Sequence, residues 1–197
     1  MYYLVSIYKE EDFELLRNYD IKKNKSNRIV IEIKNDIVFT KDITPYNLDG
    51  FDVLIKGNNH TLSNLNIYGN NFVGLIRKVD NIQVIDLNLS HVNIYGNVKC
   101  ASIAAQVNEN ASIDNSNFDD IFVNCDAFAG GIIGRCKNIS ISNSNIKAYV
   151  YAHDIAGGVV GLTDEYYQEN CNLVINGITI GKAISDNAGY AELKKIK

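Results

Sequence analysis

A pattern of small and β-branched residues recurs at nearly constant intervals along this chain. Gly74, Ser102, Gly131 and Gly158 occupy successive equivalent positions, and the spacing from one to the next is almost the same each time. A fixed period of about 28 residues is typical of stacked structural repeats, in which each unit packs against its neighbours rather than around one central core. The period therefore predicts a solenoid.

Apolar residues follow the same period in two ladders, with polar residues between them. The first ladder is Val84, Ile113, Ile141 and Leu173, and the second is Leu89, Phe118, Ile146 and Ile178. Each unit then holds short alternating segments of the length of β-strands, and no helical period is sustained between residues 51 and 180. These features predict an all-β fold, a right-handed parallel β-helix of about five coils with a period of about 28 residues.

Asparagine, serine and glycine occupy the positions where a coil must turn. Asparagine tolerates left-handed backbone and can bond to the same residue type one coil away, so we expect Asn115 to stack on Asn143 and Ser116 on Ser144. The glycine pairs at 130–131 and 157–158 indicate either tight corners or points where two backbones leave no room for a side chain.

The two ends of the chain are expected to cap the solenoid, because its open ends would expose unpaired strand edges. Residues 10–17 start with acidic side chains and continue with apolar ones, which predicts a short helix over the N-terminal end. We therefore divide one structural domain into an N-terminal strand and helix cap (1–50), the parallel β-helix (51–187) and a C-terminal cap or tail (188–197).

Two motifs carry a resemblance to a known family. One is the segment from Asn35 through Phe51 to the Ile55–Leu65 run, and the other is the pair of units Gly-Gly-Ile-Ile-Gly and Gly-Gly-Val-Val-Gly at 130–134 and 157–161. Over about residues 30 to 180 the chain resembles the GLUG-motif β-helix family. These repeats occur in large bacterial surface proteins and in non-catalytic parts of secreted immunoglobulin peptidases. Arg77 and Ser102–Ala105 depart from the family pattern. The resemblance implies a structural repeat that brings no catalytic residues.

The four cysteines, Cys100, Cys125, Cys136 and Cys171, form no Cys-x-x-Cys pair and have no histidine at ligand spacing. This spacing argues against a zinc site, and we expect no metal and no cofactor. The sequence favours buried free thiols in a reducing compartment.

No set of residues predicts a catalytic site. His60, His91 and His153 are single histidines, and the pair Ser90-His91 is a common dipeptide. Polysaccharide-cleaving β-helices use clustered carboxylates, for which Asp86, Asp119 and Asp120 are candidates. Adjacent aspartates in a strand point to opposite faces, however, so we do not expect these to cluster. The sequence predicts a protein without enzymatic activity.

The amino terminus lacks the basic start, apolar run and cleavage site of a signal peptide. Taken as a full-length chain, it predicts a cytoplasmic protein of a bacterial host. No apolar run reaches the length of a membrane span. The net charge of −4 has the wrong sign for a nucleic-acid binder, so neither membrane nor direct nucleic-acid binding is expected.

One connection between repeat positions stands out by its length. The connection from Gly161 to Leu173 is clearly longer than the equivalent one from Arg77 to Val84. The extra residues, within 162–171, are acidic and include two tyrosines, which predicts a protruding interaction loop that the preceding coil extends. A solvated loop with no binding role is the alternative. The predicted protein-binding residues are Tyr149, Tyr151, Asp164, Glu165, Tyr166, Tyr167 and Glu169.

Three functions are open at this point. The first is a non-enzymatic intracellular β-helix that binds a protein partner, a phage or mobile-element inhibitor that blocks a nucleic-acid defence effector as anti-CRISPR proteins do. The second is an adhesion or glycan-binding module of a bacterial surface protein. The third is a carbohydrate-active β-helix enzyme. The absence of a signal sequence favours the first, and the oligomeric state is not predicted.

Overall fold

A computed structural model describes residues 2–19, 27–179 and 188–190, and in it the chain winds into a right-handed parallel β-helix of about six turns. The predicted fold class is confirmed. Adjacent coils are joined by parallel strand pairing in every described pair, as the near-constant period requires.

The strands are short because each coil must turn after a few residues. In chain order the described strands are β1 (Tyr2–Ile7), β2 (Asn27–Ile33), β3 (Ile37–Val38), β4 (Tyr46–Lys56), β5 (Thr61–Tyr68), β6 (Phe72–Val73), β7 (Ile76–Ile85), β8 (Asn88–Gly96), β9 (Lys99–Cys100), β10 (Ala104–Val107), β11 (Asn110–Asp114), β12 (Asn117–Cys125), β13 (Phe128–Gly130), β14 (Ile133–Arg135), β15 (Asn138–Ser142), β16 (Asn145–Ala152), β17 (Ile155–Gly157), β18 (Val160–Leu162), β19 (Glu165–Glu169), β20 (Asn172–Thr179) and β21 (Ala188–Tyr190).

These strands form three sheets, which the chain crosses in turn from β4 to β18. Sheet A runs in the order β1-β2-β4-β7-β10-β14-β18-β21, with β11, β15 and β19 in a second row beside it. Sheet B runs from β3 through β5, β8, β12 and β16 to β20, and sheet C contains β6, β9, β13 and β17. Because successive side chains of a strand point to opposite sides, each sheet has an inner face in the core and an outer face at the surface.

The inner faces stack apolar residues coil on coil. Val84, Ile113 and Ile141 are register partners, and so are Leu89, Phe118 and Ile146. Both ladders are confirmed over these coils, and all six side chains are buried.

The ladder assignment is wrong in the last described coil. Ile141 pairs with Gln168, while Leu173 pairs with Ile146 and belongs to the second ladder, and Ile178 pairs with Tyr151. The cause is that β19, an edge strand among the described residues, carries an exposed glutamine where the earlier coils carry an apolar residue.

Amide side chains form a polar ladder on the outer face of sheet A. The Nδ2 of Asn81 donates to Asp52 at 2.7 Å, that of Asn110 donates to the Oδ1 of Asn81 at 3.1 Å, and that of Asn138 donates to the Oδ1 of Asn110 at 2.9 Å. Side chains at equivalent positions of adjacent coils are close enough for such bonds. We call Asp52, Asn81, Asn110 and Asn138 the asparagine ladder.

The corner between sheets A and B uses left-handed backbone, as expected for asparagine. Asn115 and Asn143 have φ values of 46° and 50°. At the next position the Oγ of Ser144 accepts a hydrogen bond from the backbone N–H of Ser116 at 3.1 Å, so the predicted serine stack is present. These corner bonds therefore join one coil to the next.

The paired glycines are points of close backbone approach and not left-handed corners. Among the described glycines only Gly50 has a positive φ. A Cβ on Gly130 would overlap the carbonyl oxygen of Ile133, and one on Gly131 would overlap the carbonyl oxygen of Gly158 in the next coil. The second of the two sequence interpretations is therefore correct for Gly130 and Gly131. A Cβ on Gly158 would overlap the side chain of Ile175 instead.

The predicted N-terminal helix is present as a 3₁₀ helix, Glu10–Tyr19. Its Phe13 and Leu16 are buried, and the ring of Phe13 lies 5.3 Å from that of Phe39 and 6.1 Å from that of Tyr46. The helix thus covers apolar residues of the first coils at the N-terminal end of the rod.

The sheets extend beyond the expected boundaries of the β-helix. Strands β1 and β2 already pair in sheet A, and residue 51 falls inside β4. At the other end β21 pairs with β18, while residues 191–197 of the expected C-terminal cap lie outside the described residues.

Two of the four cysteines form a disulfide bond, so the expectation of free thiols is wrong for Cys100 and Cys125. Cys125 pairs in register with Gly96, where a Cβ would lie 2.9 Å from the sulfur of Cys100. The missing side chain of Gly96 therefore makes room for the two sulfurs to meet. Cys136 is a buried free thiol as expected, and Cys171 is a partly exposed one.

Candidate functional site

Sheet B presents aromatic and amide side chains on its outer face. Register pairing aligns them in two neighbouring columns, each with one residue per coil from β5, β8, β12 and β16. The columns are Asn66, Asn93, Phe122 and Tyr149, and Tyr68, Tyr95, Asn124 and Tyr151. Their outward direction follows from alternation with the buried residues Ile67, Ile94, Val123 and Val150.

Four of these aromatic rings stack in one continuous row, which we call the aromatic ladder: Tyr68, Tyr95, Phe122 and Tyr151. Successive ring centroids are 5.2, 5.6 and 5.5 Å apart. The first pair is parallel within 8° and the other two are tilted by 43°. With a coil spacing of about 4.8 Å, the row extends about 15 Å along the rod.

The aromatic ladder is accessible to a partner. Tyr68 is 52% exposed and Tyr95 is 36% exposed. Mutual stacking contributes about 0.5–1.5 kcal/mol per ring pair beyond burial and restricts the rings to one arrangement. The result is a rigid apolar strip whose edge carries phenolic hydroxyls.

A polar depression borders the N-terminal end of the aromatic ladder. It has a volume of about 550 Å³, and Tyr68 and Tyr95 line it together with Asn97, Asn124 and Asp126. In the adjacent column the Nδ2 of Asn93 donates to the Oδ1 of Asn66 at 3.0 Å. Hydrogen-bonding groups therefore flank the rings.

A polar cluster lies on the same face nearer the start of the strands, and it contains Ser90, His91, Asp119, Asp120 and Lys147. The Oγ of Ser90 is 2.7 Å from the Nδ1 of His91, whose Nε2 is 3.7 Å from the Oδ2 of Asp120. The ammonium of Lys147 is 3.4 Å from the Oδ1 of Asp119.

The expectation that Asp119 and Asp120 point to opposite faces is wrong, since both are exposed. Asp120 has a φ of 55°, and the pairing of β12 with β16 shifts by one residue at this point. The resulting bulge turns both carboxylates outward. Asp86 is not part of the cluster, because it lies at the corner between sheets A and B and accepts a hydrogen bond from Asn115.

The polar cluster is open to water. The side chain of His91 is 70% exposed, and those of Asp119 and Asp120 are each 51% exposed. Because the cluster lies on the same outer face of sheet B, it forms a charged border beside the aromatic ladder.

The structure separates the predicted binding residues onto two faces. Tyr149 and Tyr151 lie in β16 on sheet B, whereas Glu165, Tyr166, Tyr167 and Glu169 form β19 in sheet A, with Asp164 just before it. The predicted protruding loop is wrong for residues 165–169, because they pair in register with Asn138–Ser142 at the regular offset of one coil. The apparent insertion came from matching Leu173 to the wrong ladder.

The two tyrosines of β19 have different environments. Tyr166 is partly buried against the core, and this burial raises the pKa of its phenol. Tyr167 is exposed and donates a hydrogen bond to Glu169 at 2.8 Å, which raises the pKa of the Tyr167 phenol. Only Tyr167 of this pair is therefore positioned like a recognition residue.

Sequence reasoning missed three members of the aromatic ladder. Tyr68 and Tyr95 are register partners in adjacent coils, and Phe122 follows Tyr95 at the same sequence interval although its register partner is Asn93. This constant interval is a detectable signal. Aligning the repeats on the small and aliphatic residues of the interior does not detect it, because the rings lie on the outer face.

Comparison with protein-family models, with curated proteins and with solved structures gives no match for this chain. Within residues 2–19, 27–179 and 188–190, no helix has the length and apolar character to cross a membrane. The same ranges contain no group of three His, Cys, Asp or Glu side chains placed to hold a metal ion.

Proposed function

We propose that this chain is a non-enzymatic protein-binding β-helix and that the outer face of sheet B is its binding surface. The observation that carries the proposal is the aromatic ladder. Tyrosine and phenylalanine are enriched in the buried centres of protein interfaces, where a few aromatic side chains supply most of the binding energy.

Rigidity supports the same function. The strands that carry the ladder are hydrogen-bonded to a coil on each side, and the rings are stacked on one another. A surface that is already ordered loses little conformational entropy when a partner binds. A rigid rod of this kind can inhibit a partner by covering its working surface.

Charge supports a partner with a basic surface. The chain has a net charge of −4, and Asp119, Asp120 and Asp126 lie beside the aromatic ladder. Proteins that bind nucleic acid present basic surfaces, and complementary charge accelerates association with them. We therefore propose inhibition of a bacterial nucleic-acid defence complex by steric blocking, in the cytoplasm of the host, as the first form of this function to test. The resemblance to GLUG repeats stays a prediction.

A glycan-binding module is the second candidate, and one observation favours it. Asn97, Asn124 and Asp126 place amide and carboxylate groups around a depression that two tyrosine rings also line. Apolar rings with a few convergent polar groups are typical of small-ligand sites.

The test uses matched pairs of tyrosine variants. The tagged protein is used to capture partners from a lysate that contains defence complexes, and the affinity of a captured complex is then measured for each variant. The double variant with Tyr68→Ser and Tyr95→Ser should weaken binding at least about 30-fold, because an aromatic hot-spot residue contributes about 2 kcal/mol or more to the binding free energy. Tyr2→Ser with Tyr8→Ser is the control, since these tyrosines are 68% and 56% exposed and lie outside the ladder.

Each outcome is informative. Unchanged affinity in the ladder variant would contradict the proposal. Loss of binding in Tyr167→Ser alone would move the surface to β19. Capture of no protein, together with retention on a glycan array that the ladder variant abolishes, would support the second candidate instead.

A further inference from the structure

A second concave site lies where sheet C leads into sheet A. Its volume is about 450 Å³, and its principal lining residues are Phe72, Lys78, Lys99, Gln106, Arg135 and Lys137. None of these residues belongs to the outer face of sheet B, so this cleft is independent of the proposed protein-binding surface.

The β-helix places these side chains together from three successive coils. Lys78, Gln106 and Arg135 are register partners on the outer face of sheet A, and Lys99 pairs with Phe72 in sheet C. The two columns face each other, since the ammonium of Lys99 donates a hydrogen bond to the Oε1 of Gln106 at 2.8 Å.

The aromatic ring of Phe72 anchors two of the cations. The ammonium groups of Lys78 and Lys99 lie 4.9 and 4.8 Å from its centroid. Cation–π contacts of this length hold the lysine side chains in the cleft without neutralising their charge.

The positive charge of the cleft is incompletely balanced. Lys137 pairs with Glu109 at 3.3 Å, whereas Lys78, Lys99 and Arg135 have no ion pair with a carboxylate of the described residues. Burial lowers the pKa of Lys99, and the positive charges of Arg135 and Lys78 lower it further. Bringing these cations together is unfavourable unless an anion joins them, and the lining supplies one acidic residue, Asp164.

We propose that this cleft binds an organic phosphate of about nucleotide size. Its volume lies in the range of small-molecule sites. Lysine ammonium groups and the arginine fork are the side chains that best match phosphate oxygens, and the amide of Gln106 adds a polar contact between them.

A polymer is a poorer match for the cleft. A nucleic acid would require a basic stripe along the rod, and the acidic chain as a whole would repel it. Lys78 and Arg135 are separated by two coil steps, about 10 Å, which suits a short chain of phosphate groups.

The experiment is isothermal titration calorimetry at constant ionic strength with adenosine triphosphate, inorganic tripolyphosphate and citrate as probes. Adenosine triphosphate should bind, and Lys99→Gln and Arg135→Gln should each weaken it at least about tenfold, as expected for loss of a charged hydrogen bond. Lys9→Gln, which removes an exposed lysine just before the N-terminal 3₁₀ helix, should leave the affinity unchanged. Circular dichroism of each variant confirms that the β-helix is intact.

Four results would overturn the proposal. Two concern the nucleotide: millimolar adenosine triphosphate fails to bind, or both cleft variants bind it as tightly as the wild type does. The other two concern the control probes: citrate binds as tightly as adenosine triphosphate, or tripolyphosphate binds and adenosine triphosphate does not. Because the cleft and the aromatic ladder lie on different faces, failure here leaves the protein-binding proposal unaffected.

Discussion

Replacing Ile113 by Ala tests whether the inner columns hold the rod together. Ile113 lies between Val84 and Ile141 in the first apolar ladder and is fully buried. The change removes three carbon groups, which costs about 2.4 kcal/mol at roughly 0.8 kcal/mol each. Incomplete collapse of the cavity adds to this, so we expect a loss of about 3–4 kcal/mol in the free energy of unfolding.

The control is Ser112→Ala in the same strand. Ser112 is register partner of Gln83 and Ser140 on the outer face, and its replacement should change the free energy of unfolding by less than about 0.5 kcal/mol. Urea unfolding followed by circular dichroism measures both variants. In thermal unfolding the Ile113 variant should melt roughly 6–16 °C lower, at about 2–4 °C per kcal/mol.

If Ser112→Ala lost more free energy of unfolding than Ile113→Ala, the register of β11 would be refuted, because a slip of one residue exchanges the inner and outer faces. Equal and small losses in both would refute the idea that this column is closely packed.

Three further predictions concern the ladders, the thiols and the corners. Asn110→Leu removes amide hydrogen bonds to both neighbouring coils, so urea unfolding should show a decrease of about 1–2 kcal/mol in the free energy of unfolding. No decrease would mean that the asparagine ladder contributes nothing to stability. Iodoacetamide at about pH 8 should alkylate Cys171 and not Cys136, because burial raises the pKa of the Cys136 thiol to about 12. Peptide mass spectrometry identifies the alkylated residues, and modification of both thiols would contradict the burial of Cys136. Hydrogen bonds from the next coil lower the pKa of Asp114. The ionised carboxylate of Asp114 therefore stabilises the folded state fully when the pH is above the ordinary carboxyl pKa, and this stabilisation is lost as the pH falls through the lowered pKa. As the pH falls from about 5 to about 2, the free energy of unfolding of the Asp114→Asn variant should therefore decrease less than that of the wild type. An equal decrease in the two proteins would argue against a lowered pKa of Asp114.

The sequence predicts the β-helix because the period, the inner ladders and the corner asparagines all repeat from coil to coil. The last described coil is misassigned because one position of the first ladder ceases to be apolar there, as Gln168 shows. Among the described residues β19 pairs only with β15, so the position of Gln168 is stacked on one side alone. The apolar pattern that identifies the inner ladder is therefore interrupted in this strand.

The candidate site is harder to predict than the core, for a geometric reason. The rings of the aromatic ladder belong to two different columns of register partners, because Phe122 is the register partner of Asn93 and not of Tyr95. No single repeat position therefore carries an aromatic residue in every coil. The bulge at Asp120 is equally hidden, because an aspartate with left-handed backbone has no distinctive sequence context.

The similarity of residues 113–118 and 141–146 has a consequence for how such a chain can change over evolutionary time. Because strand pairing joins each coil to the coil before it and the coil after it, duplication of one repeat unit adds a rung to every column at once. An added unit lengthens the molecule by about 4.8 Å, and it leaves a surface intact when it is inserted outside the coils that carry that surface. A gene that gains or loses one such repeat therefore changes the reach of the rod without changing the residues that a site displays.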